Sequence, residues 1–162
     1  MIQHKIKSKK AFSMVTAVFV IVIMATVTAL IMNVTGKTIK ETTQQYQKEQ
    51  AALLARSYTE QAILYALHYD RIANGDCIND INATFGDGVT SQVFTIQTKI
   101  QYISNVTQLP AGCNILTTWA DSGVAGFNST VSLIVDIYVT YTDLDDALQR
   151  PITFHRRTLQ KL

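Results

Sequence analysis

The feature that most constrains this chain is a run of 21 residues without a formal charge, Phe12 to Met32, which directly follows a lysine-rich start. As a helix at ~1.5 Å per residue, the run spans ~31 Å, which is enough to cross the hydrocarbon core of a bilayer. Its threonines can return their hydroxyls to backbone carbonyls one turn earlier, so they do not oppose a membrane location. The run therefore predicts one membrane-spanning helix over residues 12–32.

The positive charge of the chain is concentrated before this run. The formal net charge is +2, but four of the basic side chains belong to Lys5, Lys7, Lys9 and Lys10. Without the first 11 residues, ten basic side chains are set against twelve acidic ones. Cationic flanks of membrane helices stay cytoplasmic, so the part of the chain after the apolar run is predicted to lie on the opposite side of the membrane. Because the basic charge belongs to the leader, no nucleic-acid partner is expected.

Two other interpretations of the N-terminus stay open. The sequence "VTA", Val27 to Ala29, can serve as a signal-peptidase site, which would release a secreted protein that begins at Leu30. The apolar run continues past that site into further helical sequence, which favours a retained helix. An uncleaved chain that begins at Met1 would instead be a single-pass anchored binding or sensor domain.

Helical sequence continues after the apolar run. Residues 33–74 contain no proline, and Gly75 provides a stop signal because glycine takes the left-handed conformation without steric cost. One helix is therefore predicted from Phe12 to Asn74. Apolar residues recur with helical spacing in its last part and predict the face that packs on a core, namely Leu54, Tyr58, Ala62, Tyr65, Tyr69 and Ile72.

From Gln92 onward the hydrophobic period changes to two, which is typical of half-buried strands. Four strands are predicted, within residues 93–103, 113–119, 132–141 and 152–160. The predicted fold class is α+β, with a long N-terminal helix packed on a small antiparallel sheet of about four strands. The predicted divisions are a basic leader (1–11), a membrane helix or stalk (12–32), the second half of the long helix (33–75) and the sheet domain (76–162).

The chain has two cysteines, Cys77 and Cys113. An even number in an oxidising compartment outside the cytoplasmic membrane favours a disulfide, and two separate buried thiols are the alternative. Closing the intervening segment would contribute ~4 kcal/mol in the chain-entropy model.

The sequence contains no recognisable catalytic motif, and the three histidines lie far apart. No enzymatic activity, cofactor or metal is therefore predicted. The acidic turn that contains Asp143, Asp145 and Asp146 is interpreted as a solvated turn rather than a calcium site. Asn82 in "DINAT" is a candidate glycosylation site. Arg156 and Arg157 point to opposite faces of a strand, which indicates a charged edge strand rather than a phosphate-binding patch.

The chain begins with a short basic leader and a small residue, after which a phenylalanine begins an apolar helix that runs into a small sheet. This arrangement resembles the type IV pilin and type II secretion pseudopilin superfamily. The resemblance covers the whole chain. It implies cleavage between Ala11 and Phe12 by a prepilin peptidase, an inner-membrane location with the sheet domain in the periplasm, and later packing of the N-terminal helices of neighbouring pilins into an extracellular filament. Other pilins or pseudopilins, the peptidase and membrane lipid are the implied partners.

Two positions depart from the pattern of that family. The residue before the cut is usually glycine and is Ala11 here, and the fifth residue of the mature chain is usually glutamate and is Thr16 here. The glutamate of the family pairs with the N-terminal ammonium of a neighbour inside the filament. Its replacement by Thr16 implies a minor subunit that initiates the filament or lies at its tip.

Overall fold

The computed structural model describes residues 9–88, 92–121, 123–124, 126, 129–143 and 148–162. The chain divides into two units, residues 1–44 and 45–162. Two helices and five strands follow one another along the chain, namely α1 (Lys9–His68), α2 (Arg71–Asn74), β1 (Asp80–Phe85), β2 (Phe94–Asn105), β3 (Ile115–Trp119), β4 (Val131–Thr142) and β5 (Pro151–Lys161).

Helix α1 ends six residues earlier than the sequence predicts, at His68 instead of Asn74. The reason is Asp70, whose backbone is extended and whose carboxylate accepts a 3.0 Å hydrogen bond from the backbone amide of Ala73. This contact caps the short helix α2 and separates it from α1. Gly75 ends α2 with a φ of 73°, which confirms the predicted stop.

The second unit has the predicted α+β layout. The strand order of the sheet is β1-β2-β4-β5, all with antiparallel neighbours, and β3 pairs with β2 on the same side as β1. The sheet differs from the prediction in two ways, because β1 is an additional fifth strand and β3 runs parallel to β2. The parallel pairing arises because β3 returns along β2 after the disulfide-linked loop instead of forming a hairpin with it.

The alternation predicted for the two central strands is confirmed by their burial. On β2, Phe94, Ile96, Ile100 and Tyr102 are buried, whereas Thr95, Gln97 and Lys99 are exposed. On β4, the side chains of Leu133, Val135, Ile137, Val139 and Tyr141 are buried on the same face. This face is called the core face below, and the opposite one is called the outward face.

The part of α1 that packs on the core face does so through small residues. Its buried positions are Gln47 and then the small residues Ala51, Ala55, Thr59, Ala62 and Ala66. The predicted helix face is therefore partly wrong, because Tyr65 is 44% exposed and Ile72 is 73% exposed. Small side chains let a helix approach a sheet closely, while the large strand residues fill the space between them. Leu54 and Tyr58 of the predicted face are partly buried against the core, and Ala62 is fully buried, which confirms that part of the prediction.

We expect Ala62→Leu to lower the free energy of unfolding of the sheet unit by ~1–3 kcal/mol, because a larger side chain overpacks this contact. Urea titration of the full-length chain in detergent, followed by the fluorescence of Trp119, measures the change. Leu64→Ala is the control, since Leu64 is 53% exposed on the same helix, and a change within ~0.5 kcal/mol is expected there. Equal losses for the two variants would contradict the close helix contact.

Candidate functional site

The first candidate site is the apolar part of α1. Every residue from Met14 to Thr43 is exposed in the structure. The large apolar side chains of this segment, from Met14 to Val34, are 47% to 74% exposed. Burial of each such side chain away from water contributes roughly 1.5–3 kcal/mol, so the segment has a strong tendency to enter lipid or to pack on other apolar helices.

Polar groups in this segment are compatible with an apolar environment. The hydroxyl of Thr26 donates to the carbonyl of Ile23 and that of Thr28 to the carbonyl of Met24, each at 2.8 Å. These bonds leave no hydroxyl donor to be desolvated without a partner at either position. By length and composition, α1 is a helix that can cross a membrane once.

The residues singled out for processing all lie on α1. Ala11 and Phe12 belong to its first turn, and Thr16 follows as an exposed helical residue. The preceding residues 1–8 of the leader are outside the described part of the chain. Among the described residues, the first carboxylate along α1 is that of Glu41. The apolar segment from Phe12 to Met32 therefore contains no acidic side chain.

The second candidate site is the region around the disulfide of the sheet unit. The structure joins Cys77 and Cys113, whose Cα atoms are 4.7 Å apart. Both cysteines are buried beside the core. Asp76 and Gly112, the residues directly before the two cysteines, form an isolated parallel backbone bridge. A Cβ atom at Gly112 would lie 2.8 Å from that of Asp76, so only glycine allows this approach.

Side-chain hydrogen bonds join the two cysteine-bearing segments to each other and to β2. The amide of Asn79 donates to Gly112 O at 2.9 Å and accepts from the backbone of Asn114 at 2.8 Å. The hydroxyl of Tyr102 donates to Ile78 O at 2.7 Å, and burial raises the pKa of this tyrosine to about 12. These contacts provide hydrogen-bond partners for backbone groups in a segment that has little regular structure. The region therefore has a structural role, which is to hold the two cysteine-bearing segments in place.

The third candidate site is an ion cluster on the outward face. Arg157 binds the carboxylate of Asp136 through Nε and Nη2, both at 2.8 Å, and His155 Nε2 lies 2.8 Å from Asp136 Oδ1. The ring of His155 stacks on that of Tyr138 at 4.5 Å between centroids. Although Asp136 points away from the core face as predicted, its side chain is only 6% exposed because these neighbours cover it.

Sequence reasoning missed this cluster, since it depends on the register between β4 and β5. Residues 136 and 157 are direct cross-strand partners, as are 138 and 155. One sequence signal for the cluster was available. Alternation assigns the acidic Asp136 of β4 and the basic Arg157 of β5 to the solvent-facing sides of their strands. The hydrogen bonds to Arg157 and His155 lower the pKa of the Asp136 carboxyl, with the arginine as the larger cause and burial opposing both.

The other predicted residues do not join these sites. Asn82 lies exposed on the outward face of β1. Asp143 is buried, while Asp145 and Asp146 of the acidic turn fall outside the described residues. Within the described residues, no three His, Cys, Asp or Glu side chains are grouped so that they could hold a metal ion.

Comparisons with protein-family models, with curated proteins and with solved structures find no match for this chain.

We expect the Asp136 cluster to contribute stability that is lost in acid. Because its folded-state pKa lies below the ordinary value, the contribution is complete above the unfolded pKa of ~3.9 and decreases as pH falls through the folded pKa. Urea unfolding of the full-length chain between pH 7 and pH 2.5 measures this loss. The Asp136→Asn variant should be less stable at pH 7 and should lose less on acidification; parallel pH profiles would refute the assignment.

Proposed function

We propose that this chain is a minor subunit, initiating or tip-located, of a type IV pilus or type II secretion-like filament. Before assembly it is held in the bacterial inner membrane by a single pass, with its sheet unit in the periplasm. It is a structural subunit rather than an enzyme, and its partners are other pilins or pseudopilins through the N-terminal helix, the prepilin peptidase and membrane lipid.

The observation that carries this proposal is that α1 has an exposed apolar first part and a later part that packs in the sheet unit. Its residues from Met14 to Met32 expose a continuous apolar surface, whereas one face of its later part is buried in the sheet unit, at Ala51, Ala55, Thr59, Ala62 and Ala66. A signal peptide has no need for such a continuation, since it is removed before the mature protein folds. A helix that serves both as membrane segment and as core element is instead suited to a subunit that keeps its stalk.

The apolar surface supports a stalk that exchanges one apolar environment for another. In the membrane it contacts lipid chains, and in a filament it contacts the stalks of neighbours. Because both environments are apolar, the transfer does not expose the large side chains to water. The uncharged stretch from Phe12 to Gly36 fits this exchange, since a charge on the stalk would have to be desolvated or paired in either environment.

Thr16 supports a minor rather than a major role. Each internal subunit of such a filament buries its N-terminal ammonium among apolar stalks, and a carboxylate from the adjacent stalk compensates for that desolvation. Thr16 supplies only a neutral hydroxyl at this position. Repeated copies in direct succession would leave a buried ammonium without a counter-charge at every step, whereas one copy at the end carries that cost once.

The first test is the N-terminus of the mature protein, read by mass spectrometry after extraction from cells that contain a prepilin peptidase. We expect a chain that begins at Phe12. Replacing Ala11 by glycine should give processing that is at least as complete, and Ala17→Gly, which lies beyond the cleavage site, should change nothing. A mature chain that begins at Met1 would identify a plain membrane anchor, and one that begins at Leu30 would identify a secreted protein; either result refutes the proposal.

The second test is the position of the subunit on sheared filaments, measured by counting a label attached to the chain. We expect a signal at one filament end and loss of filament initiation when the chain is deleted. Thr16→Glu restores the carboxylate and should allow the label to spread along the filament, whereas Val15→Glu places it on a different face of the helix and should not. Dense, regular labelling of the whole filament by the native chain would contradict a minor role.

A further inference from the structure

The two edges of the sheet are formed by β1 and β5. In the described part of the chain, β1 pairs only with β2, and β5 pairs only with β4. The backbone amide of Ile100 donates to Asn79 O at 2.7 Å. Strand alternation therefore turns the backbone groups of Asp80, Asn82 and Thr84 away from β2, toward the open edge. An edge of this kind can pair with a strand of another chain.

The charges of the two edges are opposite in sign. Strand β5 carries Arg156, Arg157 and Lys161 and no carboxylate, whereas β1 carries Asp80 and no basic residue. Pairing of β5 with β5 of a second copy would bring like charges together, which is destabilising. Pairing of β5 with β1 of a second copy brings opposite charges together.

Cross-strand rows on the outward face give this pairing a register. One row across the sheet alternates in charge and consists of Asp80, Lys99, Asp136 and Arg157. Another consists of the threonines Thr84, Thr95, Thr140 and Thr153. If β1 of a second copy is added antiparallel to β5, both rows continue without a shift, with Asp80 beside Arg157 and Thr84 beside Thr153.

The core face supplies an independent reason for the same register. A groove of about 280 Å³ lies beside β1 and is lined by Gln50, Leu53, Leu54, Ser57 and Phe85. In it, Leu53 is 60% and Phe85 is 51% exposed. At the other edge, Ile152 of β5 is 41% exposed. The register that aligns the outward rows also places Ile152 of one copy beside Phe85 of the next, so these apolar side chains cover one another.

We propose that β1 of one copy pairs antiparallel with β5 of a second copy, in the register that joins Asp80 to Arg157 and Thr84 to Thr153. The contact is head-to-tail, because it uses different surfaces on the two copies. This inference does not rest on the proposed function, and it requires only that two copies meet.

The test is disulfide cross-linking of two full-length variants, Thr84→Cys and Thr153→Cys, mixed in detergent micelles. Directly opposed Cα atoms in an antiparallel pair lie ~5.5 Å apart, within the range that a disulfide spans. Mass mapping under mild oxidation should find the mixed 84–153 link in excess over both homodimers. The variants carry different mass tags, so each product is identified.

A register control replaces Thr153→Cys by Leu159→Cys in the same mixture. Leu159 is exposed on the same face of β5, but it lies six residues further along, or ~20 Å at ~3.4 Å per residue. The yield of the disulfide between position 159 and position 84 should be at least tenfold lower than that of the 84–153 disulfide. Equal yields for the two positions, a dominant 153–153 homodimer, or no mixed link would each overturn the proposal.

A charge control tests what draws the two edges together. Asp80→Lys should reduce the mixed link by about threefold to fivefold, because it places a like charge beside Arg157. Glu60→Lys makes the same change in net charge at an exposed position of α1 and should leave the yield unchanged. Equal effects of the two variants would show that net charge, and not the edge contact, controls association, which would contradict the proposal.

Discussion

The close contact between α1 and the core face is the interaction on which the sheet unit depends. Four alanines of the helix, with Thr59 between them, lie against branched and aromatic side chains of β2 and β4. The helix contributes little side-chain volume at these positions, and the large strand residues fill most of the core. Since the same helix also carries the exposed apolar segment, one element links the folding of the sheet unit to the residues proposed to enter the membrane and the filament.

Much of the fold could be predicted from periodicity. The alternation in β2 and β4 is strong enough to assign their faces, and the apolar run identifies the membrane-compatible part of α1. The buried helix face could not be found in the same way, because a search for large apolar residues ranks Tyr65 and Ile72 above alanine. Strand β1 was missed because it is short, although Ile81, Ala83 and Phe85 do alternate with polar residues. The Asp136 cluster requires a register that no single segment contains.

The outward face of the sheet has two predicted uses that compete at one position. Asn82 is the candidate glycosylation residue, and it also belongs to the edge strand proposed to meet a second copy. A bulky glycan there would occupy the space beside His155 of the neighbour in the proposed register. We therefore expect modification of Asn82 to weaken edge pairing of the same copy, so that the modification state would influence which copies associate through β1.

The position of the disulfide along the chain has a consequence for export. The link encloses β1 and β2, and the hydrogen bonds of Asn79, Tyr102 and Asn114 around it join residues within 78–114. Strands β4 and β5 come later in the chain and take no part in these contacts. In the proposed topology the N-terminus stays in the cytoplasm and the residues after the membrane helix cross in chain order, so the link could form before the last two strands arrive. These strands would then add to a segment that is already covalently closed.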